Sequence, residues 1–133
     1  MLMSTRPRIL CVENDEDSRV MLVTLLKLAL IEAKAVDTAA QALSSIQTER
    51  FDLFMLDSRL PDLDGFELCR RMRDFNPRTP ILFFSGAASA ADKNRGIAAG
   101  ANAYVIKPDV AGLVGNITKF VSHMESPASN SPP

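Results

Sequence analysis

The chain has 133 residues, 47% of them apolar and 23% charged, with 15 Lys+Arg against 16 Asp+Glu for a net charge of −1. That is one domain's length, long enough to hide roughly two-thirds of the surface its unfolded chain exposes. The balanced charge excludes a highly charged disordered chain, and it argues against a protein that holds DNA or an anionic membrane by bulk charge. The longest apolar stretch, Val20 to Ile31, is broken by Thr24 and Lys27 and is too short for a bilayer core of about 30 Å. Arg6 and Arg8 lead only into the short run Ile9–Val12, which is no signal peptide. Cys11 and Cys69 are expected as reduced, buried thiols of a cytoplasmic protein.

Strand patterns are expected over Arg8–Val12, Ala33–Asp37, Phe51–Asp57, Ile81–Ser85 and Ala103–Ile106. The third and fourth are nearly continuous apolar blocks, as in strands covered on both faces. Helical patterns separate them. Thr38-Ala39-Ala40-Gln41 has the form of a capping box, and Asp64-Gly65-Phe66-Glu67 opens a similar helix over Phe66–Phe75 that stops before Asn76-Pro77. Ser89 to Asp92 opens a fourth helix, closed by Gly100 in a left-handed conformation. From Asp109 a last helix carries Val110, Leu113, Val114, Ile117, Val121 and Met124 as one apolar stripe, weakened by Gly112 and Gly115 at about 1 kcal/mol each. Residues 1–7 are expected as a flexible start, 8–124 as the folded domain, and 125–133 as a disordered Ser/Pro-rich tail. Repeated strand–helix units predict an α/β fold with a parallel sheet and helices on both faces. Ligand chemistry in such sheets gathers beyond the carboxyl ends of the strands.

Those ends carry usable groups. The first strand runs into Glu13-Asn14-Asp15-Glu16-Asp17, the third ends on Asp57, the fourth on Ser85-Gly86 and the fifth on Lys107-Pro108. Glu13 and Asp57 are hard oxygen ligands suited to Mg²⁺, and an ionised Asp57 is a nucleophile toward phosphorus. Lys107 and the Ser85 hydroxyl suit the oxygens of a transferring phosphoryl group. Singly each has a plainer reading. The acid run caps a helix, Asp57 ends a strand in a turn, and Ser85-Gly86 and Lys107-Pro108 are ordinary exits. Four strands delivering acid, acid, hydroxyl and ammonium to one edge is what an apolar sheet has no structural need for.

From Arg8 to Met124 the chain resembles the receiver domain of two-component response regulators. The resemblance rests on Ile9-Leu10-Cys11-Val12-Glu13-Asn14-Asp15, on Asp52 to Asp57 with Leu60-Pro61-Asp62-Leu63-Asp64-Gly65, on Ser85-Gly86-Ala87, and on Gly100 to Pro108. It implies a flavodoxin-like (βα)5 sandwich with a parallel sheet in order 2-1-3-4-5. It implies Asp57 as phosphoacceptor; a Mg²⁺ site of Glu13, Asn14, Asp57 and the Arg59 backbone carbonyl; Lys107 on the phosphoryl oxygens, its bond to Pro108 cis; and Ser85 and Tyr104 as a switch pair. The plainer reading of Tyr104 is a half-buried ring with a wet hydroxyl.

Receivers usually place a second acid where Asn14 stands, so weakened Mg²⁺ binding is expected, with Asp15 leaning in. Arg59 either covers the site mouth or is a solvated loop residue; His123 reads as a surface residue at a helix end. The expected partners are a histidine kinase or phosphotransfer protein and a downstream protein target, with no nucleic acid or membrane. The domain is expected as a monomer or weak homodimer, and as a switch that at most catalyses its own phosphorylation and dephosphorylation. With only a short stretch after the last helix, no DNA-binding output is expected, and Met1 and the tail are expected as natural ends. Two other readings stand beside it: a docking module needing no phosphate, which Asn14 favours, and an aspartate-nucleophile Mg²⁺ phosphohydrolase, whose Asp-x-Asp pair is missing from both Glu13-Asn14-Asp15 and Asp57-Ser58-Arg59.

Overall fold

The computed structural model describes residues 6–125, and the side chains of 6–121. The expected flexible residues 1–5, the tail from Ser126 on, and the side chains of His123 and Met124 lie outside the described residues. Ten elements alternate: β1 (Arg8–Val12), α1 (Glu16–Leu28), β2 (Glu32–Val36), α2 (Ala39–Thr48), β3 (Leu53–Leu56), α3 (Gly65–Phe75), β4 (Ile81–Ser85), α4 (Ala90–Ala98), β5 (Ala103–Ile106) and α5 (Val110–Glu125). All strand pairs are parallel, in the order β2-β1-β3-β4-β5.

Alternation along the central strands divides the core. Leu10, Val12, Phe54, Leu56, Ile81 and Phe83 face α2, α3 and α4, whereas Ile9, Cys11, Leu53, Met55, Leu82 and Phe84 face α1 and α5. Every residue of β3 and β4 is buried, as the apolar blocks predict. The third strand is shorter than the expected Phe51–Asp57. Asp52 closes its start on β1, its N–H donating to the Arg8 carbonyl at 2.7 Å and its carboxylate accepting from the Arg8 N–H at 2.8 Å. Edge strand β2 begins and ends one residue earlier than expected, because the Glu32 N–H pairs with the carbonyl of buried Pro7 at 2.9 Å.

Helix starts follow the caps, with two departures. Thr38 accepts from the Gln41 N–H at 3.1 Å, but the Gln41 side chain accepts from Asp37, not from the cap itself. Asp64 caps α3 through the Phe66 N–H, while Glu67 turns outward to Arg70 and Arg71. The first-turn amides of α2 are taken instead by Asp62, at 2.9 Å to both Ala39 and Ala40. Those two amide bonds, ahead of all else, hold the Asp62 carboxyl below its usual range. Ser89 and Asp92 form a complete capping box.

Gly100 ends α4 at φ +115°, as expected. Leu30 ends α1 at φ 63°, with the Leu30 and Ile31 amides turned back to Lys27 and Leu26. A left-handed leucine costs roughly 1–2 kcal/mol, offset here by Ile31 and Leu26 meeting in the core. On α5, Leu113, Ile117 and Val121 are buried and Val114 faces out. Gly112 has a local reason: its N–H bonds Asp109 at 2.8 Å, and a Cβ there would stand 2.3 Å from the same carboxylate. Nothing in the structure explains Gly115. Both cysteines are buried and free, and burial pushes the Cys11 thiol up to about 12 and Cys69 to about 11.

Candidate functional site

The carboxyl edge gathers most of the residues singled out from sequence. Glu13, the first residue past β1, is 3% exposed. One of its oxygens accepts from Lys107 Nζ at 2.7 Å, the other from the Asp15 N–H at 3.0 Å. Lys107 also reaches Asp57 Oδ2 at 3.3 Å, so one ammonium bridges the two acids. Burial pulls the lysine's pKa down, but the Glu13 hydrogen bond and the two negative charges prevail, and it ends above its ordinary value. The Lys107 backbone is anchored by its N–H on the Ser85 carbonyl at 2.9 Å, and its bond to Pro108 is cis.

Asp57 is held from both sides. Its N–H donates to the Val12 carbonyl at 3.0 Å, extending the ladder past the strand end. Gly65 lies so close beneath that a Cβ there would stand 2.2 Å from the Asp57 carbonyl oxygen. Only glycine fits between the start of α3 and the acid's own backbone, which gives the Asp64-Gly65 motif its physical content.

Asn14 is exposed beside this pair, and the Asn14 and Glu13 carbonyls both accept from the Arg19 guanidinium, at 2.8 and 2.9 Å. Arg19 therefore clamps the acid loop onto α1, a role no sequence motif signalled. The expectation that Asp15 leans in is corrected: its carboxylate caps α1 by accepting from the Ser18 N–H at 2.9 Å. The Arg59 side chain is exposed and lines a cleft of about 400 Å³ with Leu60, Asp64, Phe66 and Arg95, while its N–H contacts Asp57 Oδ1 at 3.3 Å.

Ser85 is fully buried on the face of the sheet covered by α3 and α4. Its hydroxyl shares a 2.6 Å hydrogen bond with Ser58 and accepts from the Ala87 N–H at 3.1 Å. Tyr104 donates to the Ala87 carbonyl at 2.7 Å and stacks on Phe83 with centroids 5.3 Å apart. The hydroxyl of this half-buried ring thus has a protein partner. Ser58 was not singled out from sequence, although a signal existed: the residue after Asp57 points to the opposite face, where Ser85 lies.

His, Cys, Asp and Glu side chains gather nowhere in a group of three among the described residues. Glu13 and Asp57, two carboxylates gathered on one ammonium, are hard oxygen donors that suit Mg²⁺ with several retained waters, not a closed zinc cage.

An acid cradle bridged by lysine at the carboxyl edge of a 2-1-3-4-5 sheet is the arrangement that the sequence motifs imply. The chain belongs to the response regulator receiver domain family, whose model matches residues 9–118. It is 33% identical over 128 residues to the transcriptional regulatory protein PrrA of Mycobacterium tuberculosis, covering 96% of this chain and 55% of that one. It is 33% identical over 101 residues to the cell cycle response regulator CtrA of Brucella ovis, covering 76% of this chain and 44% of that one. The chain thus spans about half the length of these curated relatives. Among solved structures it is similar to the CheY-like receiver domain protein of Methanospirillum hungatei, with TM-score 0.85 and 28% identity over 92% of this chain and 98% of that one. The non-phosphorylated HemR receiver domain of Leptospira biflexa is similar at TM-score 0.81 and 30% identity, over 88% and 95% of the two chains.

Proposed function

We propose that the protein is a phosphoacceptor switch in which Asp57 takes a phosphoryl group from a phosphohistidine of a histidine kinase or phosphotransfer protein. The observation that carries this reading is the Lys107 ammonium lying between Glu13 and Asp57. An Asp57 oxygen attacks phosphorus, the P–N bond breaks, and the departing imidazole keeps the bond's electrons and takes a proton. Lys107, already at the carboxylate, balances the charge of the transferring group. Glu13, Asp57, Asn14 and the Arg59 carbonyl would hold Mg²⁺, which supplies charge neutralisation on the phosphoryl oxygens when bound. The acyl phosphate adds about −1.5 to −2 charge and three acceptors. Ser85 then turns its hydroxyl to the phosphate, exchanging its Ser58 partner for a charged one. The output is a protein-binding surface that responds through Ser85 and Tyr104. Among the described residues no helix is long and apolar enough to cross a membrane; the cytoplasmic location is part of the proposed reading, which places the switch where a histidine kinase presents its phosphohistidine.

Incubation with Mg²⁺ and a small phosphodonor, followed by mass measurement, tests this. One hydroxylamine-labile phosphoryl adduct is expected, absent from Asp57→Asn. Steady phosphate release from unrelated esters would instead indicate a hydrolase, and an unchanged mass a docking module.

Asn14 sets the metal affinity. Asn14→Asp adds one charge at the mouth, and after screening the expected gain in Mg²⁺ affinity is roughly tenfold by titration. Equal affinities would show that Asn14 takes no part.

A further inference from the structure

The loop from Asp57 to Asp64 joins β3 to α3 and carries the phosphoacceptor as its first residue. Its two ends are fixed. The Asp57 N–H donates to the Val12 carbonyl at 3.0 Å, and the Gly65 N–H closes on the Ser58 carbonyl at 3.0 Å. Between these ends Leu60 and Leu63 rest on the core beneath α2 and α3, but apolar packing is non-directional and sets no orientation for the backbone. Direction comes from Asp62. Its two oxygens accept separately from the Ala39 and Ala40 N–H groups, each at 2.9 Å, so the first turn of α2 grips the carboxylate as a fork.

Helix α2 has a cap of its own, because Thr38 accepts from the Gln41 N–H at 3.1 Å. The fork from Asp62 adds a tie to another part of the chain. The segment it grips also serves the other acid loop: the Val36 carbonyl, at the end of β2, accepts from the Glu13 N–H at 2.9 Å. One stretch, 36–40, thus supports Glu13 through its backbone and the 57–64 loop through Asp62. Earlier in that loop the Arg59 N–H lies 3.3 Å from Asp57 Oδ1.

We propose that Asp62 is a positioning residue of the cation site: its bonds to α2 hold the Arg59 backbone against Asp57, on the same segment that supports Glu13. The inference rests on reading Glu13, Asp57 and the Arg59 carbonyl as Mg²⁺ donors, and it deepens that reading by naming what keeps the Arg59 backbone in place. Without the fork, the 59–63 stretch keeps its apolar contacts but loses its orientation, and the cation must order a donor that is otherwise set in advance.

Three variants separate holding from charge and from helix capping. Asp62→Ala removes the fork. Asp62→Asn removes the same charge but keeps one oxygen for the two amides. Thr38→Ala weakens the same helix end without touching the loop. The backbone ¹⁵N order parameter of Arg59, measured without Mg²⁺, is expected at about 0.85 in the wild type and in Thr38→Ala, and below about 0.6 in Asp62→Ala. Mg²⁺ titration is expected to give an affinity roughly threefold to tenfold lower for Asp62→Ala, a smaller loss for Asp62→Asn, and no change for Thr38→Ala. An Arg59 amide as ordered in Asp62→Ala as in the wild type overturns the proposal. Equal losses of affinity for alanine and asparagine overturn it too, since charge alone then accounts for them. Equal losses for Asp62→Ala and Thr38→Ala would reduce Asp62 to a helix cap. A wild type that takes up no Mg²⁺ sinks the cation site itself; that failure shows in the wild type, whereas failure of the Asp62 grip shows only among the variants.

Discussion

Arg73→Ala is expected to lower the unfolding free energy by about 2–4 kcal/mol, the largest loss from any single side chain outside the core. The guanidinium reaches two loops at once. On the α3–β4 side it donates to the carbonyls of Thr79 at 2.6 Å, Asn76 at 3.1 Å and Pro77 at 3.2 Å. On the α4–β5 side it donates to the Gly100 carbonyl at 2.6 Å and to Asn102 Oδ1 at 2.9 Å. Asn102 Oδ1 in turn accepts from the Ile81 N–H at 2.8 Å, so the network pins the first residue of β4. Alanine would leave these acceptors to water in a half-buried corner and remove the stem that packs on Gly100. Hydrogen bonds from a charged donor are worth about 1.5–3 kcal/mol each when buried, and partial exposure brings the sum down to the stated range. Arg73→Lys should recover less than half, because a point ammonium cannot serve two loops from one planar fork. Urea unfolding monitored by circular dichroism measures both variants. A loss below about 1 kcal/mol would show that the two loops hold themselves.

Arg73 also shows where a sequence stops being readable. Nothing local separates it from Arg70 and Arg71, which form exposed i,i+3 and i,i+4 pairs with Glu67 on the same helix. What distinguishes it is the arrival of Gly100 and Asn102 from residues remote in the chain. The strands were legible because burial on two faces leaves continuous apolar blocks, and the caps of α2, α3 and α4 because an N-terminal amide needs a nearby oxygen. Glu13, Asp57, Ser85 and Lys107 were legible because each ends a strand, and parallel topology sends those ends to one edge. Leu30 was not, since a left-handed helix end advertises itself by glycine and here the core contact of Ile31 overrides the cost. Ser58 was missed for the reason that hid Arg73. Its meaning is a contact across elements, the hydrogen bond with Ser85.

Lys107→Met should separate what the ammonium does for the fold from what it does for the site. Methionine keeps an unbranched stem beside Phe84, whose ring centroid is 5.9 Å from the lysine Nζ. The charge is lost, and Glu13, whose side chain is only 4% exposed, is left without its cation. Breaking a fully buried pair costs about 3–5 kcal/mol. With the Lys107 side chain 25% exposed, the expected loss at neutral pH is nearer about 2 kcal/mol. The pH dependence has a definite sign. Because the folded lysine's pKa lies above its ordinary 10.5, its stabilisation is complete below that value. It is lost as pH rises through the higher folded value, so wild type and variant should converge only in strong alkali. Mg²⁺ supplies the sharper test. The ammonium sits against both carboxylates that would ligate the cation, so removing it removes a competitor. The variant should therefore bind Mg²⁺ roughly tenfold more tightly than the wild type, and millimolar Mg²⁺ should restore most of its lost stability by mass action. Urea titrations with and without Mg²⁺ read both effects. Equal stabilisation of the two proteins by Mg²⁺ would mean that the cation and the ammonium occupy separate places, and that the pairing of Lys107 with Glu13 and Asp57 is structural alone.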